Sequence, residues 1–83
     1  MKEKLRILLK LLLQMEADEH TVMEETIVDA LVVAHVGKIT RDDARRVIAN
    51  AEIKGFISGT EDQVLGKVWM MSPLGKITAQ QLP

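Results

Sequence analysis

The sequence predicts an α+β fold of three helices, a two-stranded β-hairpin and a short C-terminal helix. Three observations carry that reading. Apolar residues recur at helical spacing in three successive segments between residues 3 and 54, with Gly37 and Gly55 as stops. After Gly55 the pattern shifts to strand formers, with Ile57 before a polar stretch and Val68, Trp69, Met70 and Met71 after it. Finally, Ser72-Pro73 supplies a cap and a proline suited to the first position of a closing helix.

The first helix is predicted over residues 3–17. Leu5, Leu8, Leu9, Leu12 and Met15 form its apolar row, and Arg6, Lys10 and Gln14 line the other side. Ile7, Leu11 and Leu13 add a second apolar flank, which either completes the core or forms a homodimer surface. A membrane-surface helix is disfavoured, because the cations are few and no aromatic anchors accompany them. Thr21 and Glu24 have the spacing of a capping box, so the second helix is expected over residues 22–36. Met23, Ile27, Ala30, Leu31 and Ala34 supply its core face, and Glu24, Glu25 and Asp29 suit the positive end of its dipole.

Thr40 opens the third helix, residues 41–54, with Asp42 and Asp43 in the first turn and Ala44, Val47, Ile48 and Ala51 as the apolar stripe. Only Gly37 to Thr40 separate the second and third helices, as a helix-turn-helix requires. Phe56 to Ser58 and Val64 to Met71 are expected as strands, with Gly59 to Gln63 as a polar tip. The last helix is expected from Pro73 to about Gln81, although Gly75 weakens it.

Composition bounds the rest. At 83 residues, the chain is expected to form one domain, residues 1–83, with a single small core. The absence of cysteine excludes disulfides, thiolate zinc sites and Cys nucleophiles. The opening residues lack a secretory signal pattern, and no apolar run reaches the ~20 residues of a membrane span, so a cytoplasmic protein away from membranes is expected. A net charge of −1 conceals a strong local asymmetry. Residues 16–29 carry six carboxylates and no Lys or Arg, whereas residues 1–10 and 38–54 are net basic.

Catalytic chemistry has little to stand on. His20 and His35 have no ligand spacing between them, and a solvated His20 and a half-buried His35 are the simpler reading. Asp42-Asp43 and Glu61-Asp62 fall where a helix cap and a turn account for them. Gly55, Gly59 and Gly66 are too widely separated to cradle a phosphate. Neither an enzymatic activity nor a cofactor is expected.

The order of elements, together with Val36-Gly37-Lys38-Ile39-Thr40-Arg41, Arg45-Arg46-Val47-Ile48, Lys54-Gly55-Phe56-Ile57 and Ser72-Pro73-Leu74-Gly75-Lys76, resembles the winged helix-turn-helix superfamily, including the MarR-like transcription regulators. The resemblance spans residues 22–78 and implies binding of double-stranded DNA, with the third helix in the major groove. It implies Arg41, Arg45, Arg46 and Asn50 as base-reading candidates, with small Ala49 allowing close approach. Lys38 and Thr40 would contact phosphates, and Lys67 would be the basic wing residue. A small DNA-binding regulator or accessory factor, acting as a homodimer through either the first helix or the C-terminal segment, is the expected function. The alternative is a protein-protein interaction module that docks a larger assembly through the acidic segment or the apolar flank of the first helix. The carboxylates of Glu61 and Asp62 on the wing favour that alternative.

Overall fold

The computed structural model describes residues 2–19 and 21–83. Within them the order is α1 (Glu3–Ala17), β1 (Val22–Met23), α2 (Glu24–Ala34), α3 (Arg41–Ile53), β2 (Ile57–Asp62), β3 (Gly66–Met71) and α4 (Pro73–Gln81). The strands form an antiparallel sheet in the order β1-β3-β2.

α1 runs through the middle of the packing, against α2, α3, α4 and β3. Leu5, Leu8, Leu9 and Leu12 are buried, and the second flank of Ile7, Leu11 and Leu13 is partly buried against the same core. Ile27, Val28 and Leu31 from α2, Ala44, Ile48 and Ala51 from α3, and Ile57, Trp69 and Met71 from the sheet complete it.

α2 is shorter than the sequence indicates. Its N-cap is Met23, with no side-chain cap bond, because Val22 and Met23 pair with Trp69 and Val68 as a strand. The expected Thr21–Glu24 box therefore does not form, and Glu24 instead accepts a hydrogen bond from Trp69 Nε1 at 3.4 Å. At the other end the backbone turns left-handed at Val36 (φ 56°) and Gly37 (φ 71°), where the Gly37 amide donates to the Val32 carbonyl at 3.0 Å. Glycine takes this conformation without a Cβ clash. The turn delivers Ile39 into the core.

The hairpin also differs from expectation. Thr60, Glu61 and Asp62 continue β2 and pair with Val68, Lys67 and Gly66, so the tip lies at residues 63–65 and Val64 and Leu65 belong to it. Asp62 shapes that tip by accepting from the Val64 and Leu65 amides at 2.8 and 2.9 Å. Those amides, Leu65 first, hold the Asp62 carboxyl below the usual aspartate range.

α4 forms as expected, capped by Ser72, whose hydroxyl accepts from the Gly75 amide at 3.0 Å and donates to the Gly55 carbonyl at 2.6 Å. Gly75 is required by packing. A Cβ there would lie 2.0 Å from the Phe56 carbonyl oxygen, which already accepts from the Ser72 amide at 2.9 Å. Glu16 ties the two ends of the chain together. Its carboxylate accepts from the Met71 amide at 2.7 Å, past the end of the two-residue β1, and stands 3.7 Å from Lys76 Nζ.

Candidate nucleic-acid interface

α3 presents its outward face because its inward face is committed to the core. Ala44, Ile48 and Ala51 are buried, and Val47 is half-buried at the edge of the stripe. The helix begins with a reciprocal capping box between Thr40 and Asp43. The Asp43 amide donates to Thr40 Oγ1 at 3.1 Å, and the Thr40 amide donates to the Asp43 carboxylate at 3.0 Å. The Thr40 amide, then its hydroxyl, holds the Asp43 carboxyl below the usual range.

The sequence-predicted residues do not share one environment. Arg46 projects outward with its side chain 80% exposed and stands 3.5 Å from Asp43. Ala49 and Asn50 are exposed beside it, and Lys38 is exposed in the turn between α2 and α3. Arg41 and Arg45 lean towards α2 instead. Arg41 pairs with both Asp29 and Glu25, and Arg45 pairs with Glu25 at 3.1 Å and with Asp42 at 3.5 Å. The hydrogen bond to Asp29 leads in raising the Arg41 pKa above the ordinary arginine value. Thr40 is exposed, but its hydroxyl is engaged in the cap.

Lys67 is half-buried on β3, 5.1 Å from the centre of the Trp69 ring and opposite Glu61 in the sheet register. It borders a cavity of about 340 Å³ between α3 and the hairpin, shared with Arg45, Ala49, Glu52, Glu61 and Trp69. This flank of α3 is rich in carboxylates. The opposite flank, towards the start of α1, has the reverse character: Arg46 and Asn50 line a groove there with Lys2 and Lys4.

The sequence reading missed two sets of residues. Glu25 and Asp29 were visible only as acidic helix positions, and nothing in their separations of 16 and 12 residues from Arg41 announced the pairing. Lys2 and Lys4 were visible as part of a basic segment, but their position beside α3 depends on how α1 crosses it.

Among the described residues, no group of three or more His, Asp or Glu side chains is arranged to hold a metal ion. His35 is half-buried, with Nδ1 2.8 Å from the Leu31 carbonyl. His20 lies outside the described residues. No helix among those described is long and apolar enough to cross a membrane.

No known family profile matches the chain, and no curated protein matches it in sequence. In structure it is similar to the adhesin competence repressor AdcR of Streptococcus pyogenes, with a TM-score of 0.71 at 17% sequence identity. The match covers 98% of this chain and 54% of that one, so the chain spans about half the length of its structural neighbour. The chain has the winged helix-turn-helix fold: α2 and α3 form the helix-turn-helix, and β2 and β3 form the wing.

Proposed function

We propose that the protein binds double-stranded DNA in a sequence-specific manner, as a small transcription regulator or DNA-binding accessory factor. The observation that carries this reading is the outward face of α3, where exposed Arg46 and Asn50 flank small Ala49 in a fold shared with a repressor. Arg can bond bidentately to guanine and Asn to adenine, while Ala49 lets the helix axis approach the base edges. Arg41 and Arg45, oriented by Glu25 and Asp29, read or contact the adjoining bases; Lys38, Thr40 and Lys67 contact phosphates. The protein acts as a homodimer, so that two α3 helices address two half-sites.

Selection from a random duplex library, followed by titration of the enriched sequence at several salt concentrations, tests this reading. An enriched inverted repeat, bound with steep salt dependence, is the expected result. Arg45→Ala with Arg46→Ala should abolish that binding without altering the circular dichroism spectrum, since neither side chain is in the core. Uniform weak binding to every duplex, or unchanged affinity of the double variant, would remove α3 as the reader.

A second reading has a specific observation behind it. Glu25 and Asp29 hold two of the four candidate base readers, and the wing carries exposed Glu61 and Asp62 with Val64 89% exposed at its tip. That surface suits a protein partner with a basic rim and an apolar pocket.

A further inference from the structure

The two flanks of α3 are opposite in charge. Towards α2 and the wing, the carboxylates of Glu24, Glu25, Asp29, Glu52 and Glu61 outnumber the cations Arg41, Arg45 and Lys67. Towards α1, two adjoining cavities of about 370 and 340 Å³ share Lys2, Leu5 and Asn50, and between them collect Lys4, Arg46 and Lys54. Among the described residues, the only carboxylate lining them is Asp43, already engaged by the Thr40 amide at 3.0 Å and by Arg46 at 3.5 Å. Among the described residues, Lys2, Lys4 and Lys54 make no ion pair with a carboxylate.

We infer that this groove is a phosphate-binding strip for one strand of the duplex backbone, and that Lys2, Lys4 and Lys54, rather than the wing, supply most of the electrostatic attraction. The inference rests on the DNA-binding reading above and assigns its phosphate contacts to a new surface. Arg46 and Lys54 stand about 12 Å apart along the helix at 1.5 Å per residue, so the cations follow α3 instead of clustering at one end. A helix in a major groove about 12 Å wide has a phosphate backbone on each side. One flank of α3 offers that backbone cations and an apolar floor at Leu5. The other offers carboxylates, and its wing lysine is matched by Glu61 across the sheet. Duplex DNA therefore sits closer to the α1 side of α3 than to the wing.

Fluorescence anisotropy on the full chain tests this, using the enriched duplex and a scrambled duplex across a range of salt. For Lys2→Gln/Lys4→Gln/Lys54→Gln, affinity should fall at least about tenfold on both duplexes, and the slope of log K against log salt should flatten by roughly 2 to 3, near 0.9 per lost phosphate contact. Because phosphate contacts are blind to sequence, the ratio between the two duplexes should hold. Lys67→Gln should lose less, and Lys10→Gln, away from the groove, should lose nothing. All three lysines are exposed, so an unchanged thermal melt is expected and separates lost binding from lost folding. If the native chain binds the duplexes and the triple variant binds them alike with the same slope, or Lys67→Gln loses more, the strip is refuted and the DNA reading survives. If the native chain binds no duplex, both fall.

Discussion

Gly75 shows two local effects in opposition, and their magnitudes decide the outcome. Helix propensity favours alanine over glycine by about 1 kcal/mol, so on sequence grounds Gly75→Ala should strengthen α4. The Phe56 carbonyl lies where the new methyl would go, and it is backbone already hydrogen-bonded to Ser72, so it cannot swing aside as a side chain would. Overpacking of this kind costs about 1–3 kcal/mol in cores, and here the clash outweighs the propensity gain. Gly75→Ala should lower the urea midpoint without changing the slope; a midpoint that rises would show that α4 can move off the β2 entry. Asp43 supplies a pH signature. Its folded-state pKa is depressed, so its stabilising contribution is present above the ordinary aspartate range and is lost as pH falls through the lower folded value. Acid titrations followed by circular dichroism should therefore show a shallower loss of stability below about pH 4 for Asp43→Asn than for the native chain.

At the scale of elements, the pairing of α2 with α3 matters more for binding than for folding. Exposed ion pairs are typically worth about 0–1 kcal/mol, and Glu25 and Asp29 are both well exposed. Glu25→Gln with Asp29→Asn should therefore leave the melting temperature nearly unchanged, yet raise duplex affinity about tenfold at low salt, because it removes two negative charges from the α2 flank of the reading helix and releases Arg41 and Arg45 towards the DNA. Unaltered affinity would argue that α2 stays far from the DNA. Much of this architecture was legible in the sequence. α1 and α4 have their expected spans, and α3 ends one residue early, because long apolar periods and the Thr40 and Ser72 caps are local signals. β1 was not legible, since two residues carry no alternation and their extended backbone is set by pairing with β3. The polar end of β2 was masked for a related reason: Thr60, Glu61 and Asp62 face solvent and join the ladder through backbone alone. Of the candidate site, the outward face of α3 followed from its apolar stripe. The partners of Arg41 and Arg45 and the cations beside Asn50 follow from helix crossings, which no single segment encodes.

For the whole molecule, burial favours the C-terminal helix over α1 as the surface of the proposed homodimer. Leu11, on the second flank of α1, is half-buried in its own core, whereas Leu74 and Ile77 on α4 are 52% and 54% exposed and one helical turn apart. Leu74→Glu with Ile77→Glu should reduce the mass measured by light scattering from two chains to one with little change in melting temperature. A mass that stays at two chains would return the interface to α1. The order of the sheet governs a different property, the timing of synthesis. Its middle strand is β3, the last to be made, and β1 and β2 touch only through it. A ribosome-bound chain that has reached Ile53 can form its first three helices, but it has no sheet and no partner for Glu16, and Val22 has no Trp69 to pair with. Until Met71 emerges, the nascent chain is a set of amphipathic helices whose apolar faces still lack the strand that closes over them, and this is the interval in which a chaperone has most to hold.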